Sequence, residues 1–220
     1  TAGLAALIIA VFLGPRKNRT TPPHNPGYVF IGAAMLWVGW FGFNGGSQLA
    51  MGTVGDITDI SRIFANTNMA AAAGAVTALI LTQVMFKKPD LTMTLNGALA
   101  GLVSITAGPL DPTLFGALWI GAVGGLIVVF VVPLLDKLQI DDVVGAIPVH
   151  LFAGIWGTLA VALFGDLQLL DTGLGRAEHL QVQLLGIFAC ALFIFPLSMT
   201  LLVLLNRFIP LRVSAEAEQM

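Results

Sequence analysis

Three observations on these 220 residues predict an all-α polytopic membrane protein. Only 10% of the residues are charged and 57% are hydrophobic, whereas soluble domains carry roughly 25% charged residues. The charged side chains, 10 basic and 12 acidic, are gathered into short segments, and six of the runs between them reach the length of a bilayer crossing, which takes about 20 apolar residues. Those runs are continuous, whereas a transmembrane β-barrel would alternate in segments of about ten residues. A net charge of −2 offers no basic surface for nucleic acid, and the single cysteine, Cys190, excludes an intramolecular disulfide and any multi-cysteine metal site.

The elements follow in order. Residues 1–15 are an apolar run too short to cross, read as the tail of a span that leaves the membrane at Gly14-Pro15-Arg16. The chain opens at Thr1 inside that run with no charged segment ahead of it, which is read as an N-terminally truncated fragment and not as a signal peptide. A first complete span is expected over 28–49. Near its end Trp40 and Phe43 are i, i+3 and Trp40 and Ser47 are i, i+7, so the three share a helix face. An indole beside a hydroxyl can hold a small cation, the ring face contributing roughly 0.5–2 kcal/mol. The same segment reads equally as an interfacial aromatic belt.

The next spans are expected over 64–86, 92–107 and 114–135. They carry small-residue faces: the alanine run from Ala70 to Ala75, Gly97 with Gly101, and Gly121 with Gly125. Small residues at this spacing let helix backbones approach closely in lipid. Asn66, Thr67, Asn68, Asn96 and Thr106 are expected to cap helix ends or to bond across helices.

A span over 143–164 places His150 near its middle, the only ionisable side chain at membrane depth. An intramembrane imidazole reads as pore-lining, donating with one nitrogen and accepting with the other; the alternative is a histidine bonded to a neighbouring helix. The last span, over 180–208, contains Pro196, expected to kink it, and Cys190, expected to be a small apolar filler. His24 and His179 are expected in loops, solvated or capping.

With these boundaries every charge falls outside a span. That excludes an acidic proton relay, a voltage sensor and a carboxylate sodium site. A hydrolase built on Ser47 and His150 is disfavoured, because the two lie at different depths and no acid orients the histidine. Arg16, Lys17, Arg19, Lys87, Lys88, Lys137, Arg207 and Arg212 fall on one side, and Arg62 and Arg176 on the other. The positive-inside rule then makes the first side, and the C-terminus, cytoplasmic.

Four segments also resemble a known family in order and spacing: Gly39 to Ser47, Asn66 to Ala72, Asn96 to Val103, and Ile140-Asp141-Asp142 followed by Val149-His150 and Gly154-Ile155-Trp156-Gly157. They resemble the ammonium transporter family of bacterial Amt type, to which the Rhesus proteins are related. The resemblance implies eleven spans, arranged as two inverted five-helix repeats and a long last helix, in trimers with one pore per subunit. This chain would supply the end of the fifth span (1–15), the second repeat (28–164), the last span (180–208) and the start of the cytoplasmic tail (209–220). The first repeat, with the other pore histidine, would precede Thr1.

Carried over by resemblance, Trp40 and Ser47 match the outer recruitment site for ammonium and Phe43 matches a gating phenylalanine below it. His150 matches the second pore histidine, and Asn44 and Thr106 match polar positions along the substrate path. Many relatives have an aspartate where this sequence has Gly145. The implied function is transport of ammonium or ammonia across the cytoplasmic (inner) membrane, with the substrate passing deprotonated through an apolar pore. The alternative is the ammonium-sensing membrane domain of a signalling protein. No cofactor, metal or enzymatic activity is expected. The expected partners are ammonium or ammonia, membrane lipid, two further copies in a homotrimer and a cytoplasmic PII-type regulator.

Overall fold

The computed structural model describes residues 1–17, 25–214 and 216–219. Arg19 and His24, both expected in a loop, lie outside them. The described residues form helices α1 (Ala2–Leu13), α2 (Pro26–Gly46), α3 (Val54–Phe86), α4 (Leu91–Ile105), α5 (Leu114–Lys137), α6 (Ala153–Phe164), α7 (Leu167–Leu170) and α8 (Arg176–Phe208), with a π-helical turn over Pro148–Phe152 ahead of α6 and no strand. Four of them, α2, α3, α5 and α8, are long and apolar enough to cross a membrane, while α1, α4 and Pro148–Phe164 are shorter apolar helices.

Local chemistry sets the helix ends. Asn25 opens α2 by accepting from the Gly27 and Tyr28 N–H groups, and Pro26 occupies the first helical position, where its missing N–H costs nothing. The Thr53 hydroxyl accepts from Asp56 N–H at 3.1 Å while the Asp56 carboxylate accepts from Thr53 N–H at 2.9 Å. This reciprocal pair starts α3 ten residues before the expected position 64. Asp56, Asp59 and Arg62 are consequently helical, in an extension of the helix ahead of the expected span. A helix of 33 residues spans about 50 Å, well beyond the ~30 Å hydrocarbon layer, so it can begin in water. Likewise α8 begins at Arg176, where Gly175 N–H donates to the Glu178 carboxylate at 2.8 Å, and runs through Pro196 to Phe208 without interruption.

The expected span over 143–164 is corrected more deeply. Gly145 takes φ +75°, and the Asp142 carboxylate accepts from the Ala146 and Ile147 N–H groups at 2.9 and 2.7 Å. Helix starts only after this turn, with the π turn and then α6. His150 therefore stands near the beginning of its helical segment.

The core is held by backbone contact. Helix α3 packs on both α4 and α5. A methyl group added at Gly121 or Gly101 would collide with the Ala70 carbonyl, and one at Gly125 with the Gly74 carbonyl. The buried residues between them are mostly small: Ala70, Ala100, Ala117, Ala153 and Ala160, with Ile105, Ile120, Val128 and Val149. In lipid, where apolar burial drives little, this close van der Waals fit is the main source of helix association.

Polar groups tie the two ends of the bundle. At one end Arg16 pairs with Asp141 at 2.7 Å, and Arg212 donates to the Leu13 and Pro15 carbonyls, each at 2.7 Å, closing the C-terminus of α1. At the other end Arg176 donates to the carbonyls of Ala162, Leu163 and Gly165, each at 3.1 Å, closing α6. Asn66 there donates to the Pro109 and Pro112 carbonyls at 2.9 Å, bonding the loop between α4 and α5 and not a neighbouring helix. His179 is buried, 4% exposed, with Nε2 2.6 Å from the Thr172 hydroxyl. It is not a solvated loop residue, because α8 starts earlier than expected and carries it into the packed end. The outer faces of α2 and α8 expose large apolar side chains, among them Val38, Phe188 and Phe193.

Candidate functional site

A cavity of about 1190 Å³ opens between α1, α2, the end of α4, the π turn, α6 and α8. From α2 come Trp40 and Phe43, one turn apart, with ring centroids 5.8 Å apart and planes tilted by 57°. Phe43 projects outward and is 62% exposed. Thr106 follows the last residue of α4, and its hydroxyl accepts from the Trp40 Nε1–H at 2.7 Å. His150 reaches the cavity from the π turn. This turn lies against α1, where a methyl added at Gly3 would come within 2.6 Å of the His150 carbonyl carbon.

Of the six side chains singled out from sequence, four meet here: Trp40, Phe43, Thr106 and His150. Ser47 and Asn44 do not line the cavity. Ser47 is exposed just past the end of α2, its hydroxyl donating to the Phe43 carbonyl at 2.7 Å. Asn44 is buried, 2% exposed, and donates to the Thr67 hydroxyl at 3.0 Å across the α2–α3 contact. It is turned toward α3 because Gly45 beside it admits the Phe64 ring, which closes the two helices together.

Two lining residues escaped the sequence reading. Thr158 lies two helical turns beyond His150, a spacing that puts both on one face and could have revealed it. Cys190 faces the cavity from α8 instead of filling the core, with Sγ 3.3 Å from the Thr1 hydroxyl. Among the described residues no Asp, Glu, Lys or Arg side chain lines this space. A second cavity, about 410 Å³, sits beyond the π turn and is lined by Asn96, Asp136, Asp142, Gly145 and Pro148 among others. Asn96 donates there to the Val144 carbonyl at 3.0 Å.

The structure brings an aromatic pair and a histidine to one cavity, with no Asp, Glu, Lys or Arg among its described lining residues. The profile of the Ammonium Transporter Family matches residues 1–220. The chain belongs to this family. Proteins of the family are channels or transporters and not enzymes. Ammonium transporter Amt2 of Archaeoglobus fulgidus is 40% identical over 99% of this chain and 50% of its own length. The ammonium transporter of Bacillus subtilis is 35% identical over 100% of this chain and 55% of its own.

Solved structures agree with the fold. A sensor Amt protein superposes with a TM-score of 0.89 at 35% identity, covering 99% of this chain and 55% of that one. Saccharomyces cerevisiae Mep2 gives 0.84 at 28% identity, covering 98% and 51%. The chain thus spans about half the length of the relatives it matches. It is a multi-pass, all-helical membrane chain of the ammonium transporter family.

Proposed function

We propose that this ammonium transporter chain forms one wall of a path for ammonium or ammonia across the cytoplasmic membrane. The observation that supports the reading is the uncharged cavity lined by Trp40, Phe43, Thr106 and His150. A bare cation entering hydrocarbon costs tens of kcal/mol by Born estimates, and no carboxylate in the cavity offsets that cost. Ammonium therefore gives up its proton before crossing, or sends it by a separate route.

The roles divide by chemistry. The Trp40 ring face attracts a small cation, and Ser47, at the adjacent helix end with lone pairs free, accepts a hydrogen bond from it. The projecting Phe43 ring obstructs hydrated ions. His150 offers the neutral molecule a donor and an acceptor in a space otherwise apolar. Asn44, bonded to Thr67, supports the helix that carries this group and does not touch the path.

The assembly and setting follow the same reading. The exposed apolar faces of α2 and α8 meet lipid, the remainder of the transporter and two further copies in a trimer. Lysines and arginines set at eight to two put the C-terminus in the cytoplasm, within reach of a PII-type regulator. A second reading, an ammonium-sensing membrane domain, is favoured by one observation, the likeness to the sensor Amt protein.

Uptake of labelled methylammonium by cells lacking their own ammonium transporter tests the proposal. Trp40→Leu is expected to lower uptake at low substrate by about tenfold, the effect of losing a cation–π contact of roughly 1–2 kcal/mol. His150→Ala is expected to change the rate or the exclusion of larger amines. If both variants transport as the parent does, the path does not run through this cavity.

A further inference from the structure

The protons of Trp40, Thr106 and Thr158 in the large cavity are already committed. An indole N–H can only donate, so the 2.7 Å contact between Trp40 Nε1 and the Thr106 hydroxyl obliges Thr106 to accept. The one proton of Thr106 goes to the Leu102 carbonyl at 2.7 Å. Thr158 spends its proton the same way, on the Gly154 carbonyl at 2.9 Å. These three side chains therefore present ring faces and lone pairs to the cavity and no free hydrogen. Thr1 and Cys190 are bonded to each other. The His150 ring has no hydrogen-bond partner among the described residues and is the polar side chain left open to a ligand.

Thr106 is the key to this arrangement because it settles two residues at once. Its own bond to Leu102 fixes the hydroxyl on the helix, and the fixed hydroxyl then fixes the indole from the neighbouring helix. We propose that Thr106 is a positioning residue for Trp40 that sets the selectivity of the cavity. It holds the indole N–H away from the path, so that the part of the wall made by Trp40, Thr106 and Thr158 accepts hydrogen bonds without offering any, and donation is left to His150. Such a wall suits ligands rich in N–H, namely ammonium, ammonia and methylammonium. It disfavours ligands with more lone pairs to satisfy, such as water, with two, or a small oxyanion. The inference rests on the reading of this cavity as the substrate path.

The experiment compares Thr106→Val and Thr106→Ser in the intact membrane protein. Valine keeps the shape and removes the hydroxyl; serine keeps the hydroxyl. Three readouts are taken: methylammonium KM and kcat, osmotic water permeability of proteoliposomes, and the indole N–H hydrogen-bond signature in ultraviolet resonance Raman spectra. Thr106→Val is expected to weaken the indole signature, raise KM about fivefold with kcat changed less than about twofold, and raise water permeability. The size is that of one net hydrogen bond. Thr106→Ser is expected to restore all three.

An unchanged indole signature in Thr106→Val overturns the proposal, and so does a changed signature with parental KM and water permeability. Equal loss of folded protein in both variants, without a spectral change, assigns Thr106 to packing and overturns it as well. Failure of the transport reading is told apart by Trp40→Leu: if that variant keeps parental uptake, the path itself is misplaced, whatever Thr106 does to the spectrum.

Discussion

At the scale of single residues, Gly145 shows how one backbone angle interrupts an uncharged run. Its φ of +75° is a conformation other residues adopt at a cost, and a methyl there would stand 2.5 Å from Asn96 Nδ2. Gly145→Ala is expected to destabilise the protein by about 1–2 kcal/mol from the backbone alone. It should also loosen the Asn96 bond to Val144. Thermal unfolding in detergent checks the first effect. The shared face of Trp40 and Phe43 was legible because a 3.6-residue period names the face of a helix, and His150 stood out as the ionisable side chain in an uncharged run. The same period failed at Ser47, since α2 has ended by then, and at Asn44, since periodicity does not say that a neighbouring helix has claimed the side chain.

The order of the long apolar helices was legible from the uncharged runs, whereas their ends, set by caps such as Asn25 and Thr53, were not read from those runs. The run over 143–165 contains no charge, yet Gly145 and the amides held by Asp142 interrupt it. Turn chemistry overrides hydropathy there. The loop between α4 and α5 carries a test of its own. Burial raises the Asp111 carboxyl above its ordinary value, Arg62 opposes the rise and Asp166 adds to it. The folded state thus holds that proton more tightly than the unfolded chain does. Stability contributed by the site is present at low pH and declines as pH rises from the ordinary carboxylate value to the raised one. Asp111→Asn is expected to flatten this decline, as read from melting temperatures across mildly acidic pH.

For the whole molecule, stability depends on how closely α3 fits into α4 and α5. Gly121→Val is expected to cost more than the 1–3 kcal/mol typical of overpacking a core, because the added group meets the Ala70 backbone and not a movable side chain. Yield of folded protein from membranes and its melting temperature would report this. The small-residue spacing announced this fit in the sequence. It did not announce which helix would lie between the other two, since a glycine pair names a face and leaves its partner unstated.

The π turn separates two spaces of very different size. Pro148 borders the smaller and His150 the larger, two positions apart in the chain. For a solute moving between them, resistances add in series, and the partition is a single turn of backbone thick. Substitutions that only widen either chamber, away from Trp40 and His150, would then leave throughput almost unchanged, while a small change at Gly3 or Pro148, against the partition itself, would be felt in full.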